Sequence, residues 1–209
     1  MLDFDGVLVD ASPCWSRVLS TMFARYGHHY SDAHKAHLCG HHPGAAGALL
    51  ADVIGRPDLA AGLGQEAMSR GLEAVSRDVV SMPGAFDLVR RLHGTRALAV
   101  ASNSPRVVVE RALERTGMLD AFSFVVGSDD VMRPKPAPDV YVRACELLGC
   151  TGSSATAIED SMPGVVAAQS AGVYVIAVTD QPLVRSAADE SYLRLHDPGL
   201  LEELTACAV

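Results

Sequence analysis

The sequence predicts an α/β protein: a doubly wound parallel sheet, Rossmann-like in kind, with a small all-helical segment inserted after the first strand. Three observations carry this. Short apolar runs alternate with segments of helical period from Ala85 to Val178, and that alternation implies right-handed crossovers between parallel strands. The runs before Ser102 and Glu159 stop abruptly at polar residues, as buried strands do when their carboxyl ends open on a crevice. Residues 31–79 keep a helical period, broken by glycines and Pro57, and contain no alternating strand.

The chain opens on MLDFDGVLVD. If Leu2 ends a strand, Asp3 and Asp5 leave its carboxyl end together, and Gly6 lets the backbone approach a ligand with no Cβ in the way. A buried parallel strand usually runs about five or six residues, yet only Met1 and Leu2 precede Asp3. Either the strand is clipped or residues upstream of Met1 belong to it. The sequence is compatible with both.

From Pro13 to Tyr26 the apolar residues Trp15, Val18, Leu19, Met22, Phe23 and Tyr26 recur at helical spacing, with Gly27 as the stop. After Met82-Pro83-Gly84 the character changes. Ala85 to Leu92 reads as a helix and Ala97 to Ala101 as a buried strand ending at Ser102-Asn103-Ser104-Pro105. A helix from Arg106 to Thr116, closed by Gly117, leads to a strand at Phe124–Val126. The turn-rich stretch Gly127 to Pro138 precedes a helix over Asp139–Leu148. Ala155–Ile158 is the next strand, running into Glu159-Asp160-Ser161, followed by a helix at Gly164–Ala171 and a strand at Val173–Val178. The tail from Ala187 reads as a short strand and a closing helix. The all-helical region Ser31 to Val79 reads as a small insert ahead of these alternating elements.

Totals narrow the function. A chain of 209 residues, 49% hydrophobic and 20% charged, can bury a real core. A net charge of -8 disfavours nucleic acid and anionic membrane surfaces, which demand an excess of Lys and Arg. Cys14, Cys39, Cys145, Cys150 and Cys207 form an odd, scattered set that suits a reducing cytosol better than a disulfide framework. With no secretory segment ahead of Asp3 and no apolar run of membrane-spanning length, the expected compartment is cytoplasmic.

The polar strand ends could converge: Asp3 and Asp5, Ser102 and Asn103, Glu159 and Asp160, with Lys135 from the Pro-stiffened loop Arg133–Pro138. Each has an ordinary alternative. Ser102 to Pro105 could cap the helix at Arg106, Lys135 could be a solvated loop charge, and Glu159 and Asp160 could cap the helix that follows. Asp10, Asp129, Asp130 and Asp139 read as structural or supporting residues. Taken together and in order, DFDGVLVD, ASNSP, RPKPAPDVY and AIEDSMPGVVAAQSAG resemble the four motifs of the haloacid dehalogenase superfamily, in the branch of phosphoglycolate phosphatases and β-phosphoglucomutase. The likeness runs from Leu2 to Val178.

What the resemblance implies is a Mg²⁺-dependent phosphatase acting on a small phosphorylated metabolite, of sugar phosphate or phosphoglycolate type. Asp3 would be the nucleophile and a metal ligand, while Asp5 would handle protons and bind the metal through its backbone carbonyl. Asp160 would complete the metal site, with Glu159 as a direct or supporting ligand. Gly6, Ser102, the Asn103 backbone and Lys135 would hold the phosphoryl group. Charge arithmetic agrees, since like unit charges about 4 Å apart repel by about 4 kcal/mol at an effective dielectric of about 20, so the acids and a phosphate need a divalent cation and a lysine among them.

By the same resemblance residues 11–80 form a helical cap that excludes water and chooses substrates, and residues 1–10 and 81–209 form the core. The cap holds six of the eight histidines, among them His34, His37, His41 and His42. The mutase pattern has a histidine in the segment after the first motif, where Trp15 stands here; His41 or His42 could substitute, and Trp15 could pack in the cap or line the substrate pocket. The phosphatase is therefore preferred, with the sugar phosphomutase and a non-catalytic binding protein as alternatives. Dehalogenation is disfavoured because Asp5 supplies a proton-transfer carboxylate.

Overall fold

A computed structural model describes residues 1–38 and 44–206. In chain order the first elements are β1 (Val9–Asp10), α1 (Ser12–Arg25), α2 (Asp32–Leu38), α3 (Gly44–Val53) and α4 (Ala60–Asp78). There follow β2 (Val80–Ser81), α5 (Ala85–Leu92), β3 (Ala99–Ala101), α6 (Arg106–Thr116), β4 (Phe124–Val126) and α7 (Asp139–Leu148). The chain continues through β5 (Thr156–Glu159), α8 (Met162–Ser170), β6 (Tyr174–Val178), α9 (Pro182–Ala187), β7 (Glu190–Tyr192) and α10 (Pro198–Ala206). Two compact units result: Met1–Asp10 with Val80–Val209, and Ala11–Val79.

The first unit is organised by its opening residues. Leu2 bridges in parallel to Val100 on one side and Ile158 on the other, through Leu2 N–H to Ala99 O and Asp3 N–H to Ile158 O, both 2.9 Å. Met1–Asp3 therefore acts as the middle strand of one parallel sheet, ordered β4, β3, Met1–Asp3, β5, β6, β7. The strands to its left and right wind in opposite directions from it, so its carboxyl end lies at the switch point where such sheets open a crevice.

Strand period then distributes the side chains. Met1, Ala99, Ala101, Val126, Ala157, Val175 and Ala177 form one buried cluster with Val140, Tyr141 and Ala144 of α7 and Val165 and Ala168 of α8. Because successive side chains alternate, the residues two positions after Met1 and Ala157, namely Asp3 and Glu159, fall on this same face at the strand ends. Leu2, Val100, Ile158 and Ile176 are buried on the other. Covering both faces explains why these strands read as continuous apolar runs.

Two features escaped the sequence. Val9–Asp10 pairs antiparallel with Val80–Ser81, a ribbon too short to carry a period. The α9 helix, six residues with Pro182 in its first turn, is likewise below the length at which periodicity speaks. In the helical unit, α4 packs on α1 and α3. Trp15 lies against Gly71 of α4, where a Cβ would overlap the indole, so its ring is used in packing within this unit.

Candidate active site

Asp3 is the last residue of the middle strand and is 8% exposed. Directly after it the chain doubles back: Leu8 and Val9 N–H donate to Phe4 O at 2.9 and 3.0 Å, and Gly6 N–H donates to Val9 O at 2.9 Å. Gly6 has φ +88°, and a Cβ there would fall on the Asp160 carboxylate. Both facts demand glycine at the position the sequence singled out, and they bring the first motif against the fourth.

Lys135 ties the acids together. Its ammonium, almost fully buried, donates to Asp3 Oδ1 and Glu159 Oε1, each at 2.6 Å. The loop that carries it is pinned by Asn103, whose Oδ1 accepts from Lys135 N–H at 2.7 Å and whose Nδ2 donates to Lys135 O at 3.1 Å. Asn103 therefore positions the lysine with its side chain. Ser102, 2% exposed at the end of β3, takes the Ser104 N–H on its Oγ at 3.0 Å.

Glu159 has no exposed surface and its carboxylate is fully engaged. Oε1 accepts from Lys135 and from the Tyr141 hydroxyl at 2.5 Å, and Oε2 accepts from Asp160 N–H and Ser161 Oγ, both 3.3 Å. Four donors meet about four lone-pair directions. Gly164 of α8 closes the remaining side, since a Cβ there would overlap the carboxylate.

Asp3, Glu159 and Asp160 each offer an oxygen within 4.8 Å of the others, a separation at which like charges repel by about 3–4 kcal/mol at an effective dielectric of about 20. The titration of the acids reflects this. Burial pushes Asp3 up to about 7, with Lys135 opposing and the Glu159 charge reinforcing the rise. Burial, then the charges of Asp3, Glu159 and Asp5, push Asp160 up to about 8. That Asp5 contributes places its carboxylate in the same field. Lys135 is held above its usual value by the carboxylates against the opposing effect of burial, so it stays an ammonium. Burial beside Glu159 drives the Tyr141 phenol well up, so it keeps its proton. With one ammonium among them, the acids form a set of hard oxygen donors that cannot all stay ionised unaided, a set that fits a hard divalent cation.

The capping alternatives are resolved by the hydrogen bonds. Ser102 and Ser104 do not cap α6; Asp129 Oδ1 accepts the Arg106 N–H there at 2.8 Å. Ser161, rather than Glu159 or Asp160, caps α8 by accepting from Gly164 N–H at 3.3 Å. Asp130 takes Gly127 N–H at 2.9 Å, and Asp139 pairs with Arg133 at 2.7 Å, both structural roles. His34 packs on Phe23 and Tyr30 and accepts Ser31 N–H on Nδ1 at 3.1 Å. His41 and His42 lie outside the described residues. Tyr141 was missed because an aromatic at helical spacing reads as core; its hydroxyl, which needs a partner once buried, was the available signal.

A switch-point sheet whose strand ends gather a buried lysine and several carboxylates is the framework of an α/β enzyme with its site at those strand ends. The family model described as haloacid dehalogenase-like hydrolase matches residues 1–178, and the chain belongs to that family. It is 31% identical to the Arabidopsis thaliana bifunctional riboflavin kinase/FMN phosphatase over 87% of this chain and 48% of that protein, so it spans about half of that relative's length. It is 28% identical to the validoxylamine A 7'-phosphate phosphatase of Streptomyces hygroscopicus subsp. limoneus, covering 86% of this chain and 84% of the other. With the fructose-1-phosphate phosphatase of Escherichia coli the identity is 25%, over 85% and 94%. Among solved structures, CbbY from Rhodobacter sphaeroides in complex with phosphate superposes with a TM-score of 0.81 at 22% identity, over 95% of this chain and 94% of that one, a likeness of fold. The family is one of hydrolases, and these three relatives are, by name, phosphatases.

Proposed function

We propose that the chain hydrolyses a small-molecule phosphomonoester, of sugar phosphate or phosphoglycolate type, through an aspartyl-phosphate formed on Asp3. The observation that carries this is the buried Lys135 ammonium held 2.6 Å from Asp3 Oδ1. A lysine so placed opposes the rise that burial imposes on Asp3, favours the ionised form that attacks, and offsets the charge of an arriving phosphoryl group. The named phosphatases among its relatives support the same reading.

In this mechanism an Asp3 oxygen attacks phosphorus in line, forming the O–P bond as the ester bond to the alcohol breaks. Asp5 gives its proton to the departing alkoxide. It then accepts a proton from a water, whose oxygen attacks the aspartyl-phosphate to release inorganic phosphate and restore Asp3. Ser102, the Asn103 backbone, Gly6 and Lys135 hold the phosphoryl oxygens. Asp3 and Asp160, with the Asp5 backbone carbonyl, would hold Mg²⁺. When bound, that ion would neutralise the carboxylates and polarise a phosphoryl oxygen. Glu159, its lone pairs taken by four donors, supports the lysine and leaves the ion to its neighbours. Substrate choice is assigned to the Ala11–Val79 unit, which carries none of the four motifs.

Hydrolysis of p-nitrophenyl phosphate and of a panel of small phosphorylated metabolites, with Mg²⁺ and with chelator, tests the reading. Asp3→Asn is expected to remove turnover by a factor of about 10⁴ or more with the fold intact by circular dichroism. Turnover within ten-fold of the parent would reject Asp3 as nucleophile. A hexose 1-phosphate with a bisphosphate primer should give free phosphate; an isomerised hexose phosphate would identify a mutase.

A further inference from the structure

Lys135 Nζ stands at the same distance, 2.6 Å, from two carboxylates on different strands, Asp3 and Glu159. One ammonium on a flexible stem would slide toward whichever carboxylate is less satisfied by its other partners. What balances the two is the remaining donor to Glu159 Oε1, the Tyr141 hydroxyl. The same side chain borders the ammonium, with Nζ 4.9 Å from the ring centroid and 3.4 Å from the hydroxyl oxygen. Tyr141 sits in the first turn of α7, six residues after Lys135, and is fully buried.

We propose that Tyr141 is a positioning residue for the reaction: its hydroxyl fixes the Glu159 carboxylate, and through it the place at which Lys135 meets Asp3. The inference rests on the reading of Asp3 as nucleophile for its catalytic consequence, and on geometry alone for the positioning. Packing does not account for the hydroxyl, because a phenylalanine ring would fill the same space between α7 and the sheet. Nor does solvent, since Tyr141 is fully buried and, among the described residues, its oxygen meets the Lys135 and Glu159 groups. Without the donor, Glu159 draws the ammonium toward itself and away from Asp3. Lys135 would still be buried and still charged, but it would no longer present itself to the nucleophile.

Tyr141→Phe separates these roles, with Glu159→Gln as an independent second variant. The first readout needs no substrate: the hydrogen exchange of the Lys135 ammonium, followed by nitrogen-15 NMR of the lysine side chains. It should be slow in the parent and faster by about ten-fold or more in either variant, the scale set by loss of one hydrogen bond to a charged group. The second readout is turnover of p-nitrophenyl phosphate with Mg²⁺. Tyr141→Phe should lower kcat by about ten-fold and leave KM within about two-fold, because the contact acts on the nucleophile and not on the bulk of the substrate. Added to Glu159→Gln it should cost little more, since both act through one carboxylate. Unchanged ammonium exchange in Tyr141→Phe would overturn the proposal, as would losses that multiply in the double variant. If the parent hydrolyses no phosphomonoester, the functional reading fails while the exchange measurement still decides the role of Tyr141.

Discussion

Lys135 Nζ and Asp3 Oδ1 are 2.6 Å apart, although 132 positions separate the two residues in the chain. The middle strand delivers one and a loop pinned by Asn103 delivers the other. Glu159 completes a buried triad in which one positive group serves two negative ones.

Breaking that triad should unfold the protein more readily. Lys135→Ala leaves Glu159 buried with its charge uncompensated, and removal of one partner from a buried pair destabilises by about 3–5 kcal/mol. Urea denaturation at neutral pH measures this directly. A loss below about 1 kcal/mol would mean that the carboxylates relax toward water, contrary to the burial of Glu159.

The pH dependence of stability follows from Asp160. Its folded-state value of about 8 stands above the ordinary 3.8, so between these values the folded protein binds more protons than the unfolded chain. The sign is therefore that metal-free stability falls as pH rises through this window, and the effect is absent below the unfolded value. Thermal denaturation in chelator should show Asp160→Asn gaining on the parent as pH rises from about 4 to about 8.5, with no difference at the acid end. Adding Mg²⁺ should raise the parent's Tm more at the alkaline end and leave the Asn variant nearly unmoved. A parent that becomes more stable with rising pH in chelator would contradict the account.

Gly6 joins local backbone to the acid cluster. Gly6→Ala must place a side chain at φ +88° and against the Asp160 carboxylate. The backbone effect alone destabilises by about 1–3 kcal/mol. Displacement of Asp160 should in addition raise the Mg²⁺ concentration needed for half-maximal activity by about ten-fold or more, which a metal titration of turnover would register. If only stability changed, Asp160 would have room to spare beside Gly6.

Much of this was legible in the chain because the local signals agree with the global fold. The strands at Phe124–Val126 and Thr156–Glu159 and the helices α5, α6 and α7 follow from apolar period and from Gly117 and Gly149 at helix ends. The convergence of Asp3, Lys135, Glu159 and Asp160 was legible only from the order of the motifs, because nothing local tells two strand ends that they adjoin. The donors around Glu159 were less so. Whether a carboxylate faces an ion or is saturated by neighbours depends on Tyr141, Ser161 and the absence of a Cβ at Gly164, and these become visible only when the strands are placed side by side. The β1–β2 ribbon was hidden for a different reason, since two residues cannot show a period and their partners lie 72 and 70 positions away.

That ribbon makes the helical segment replaceable. Asp10 and Val80 are paired across one strand spacing, about 4.8 Å, so a tight turn could bridge the stumps left by excising Ala11–Val79. A different module grafted at the same two stumps would leave the chemistry-bearing sheet uncut. On the proposed assignment of substrate choice to that unit, selectivity becomes a cassette exchanged through a single doorway.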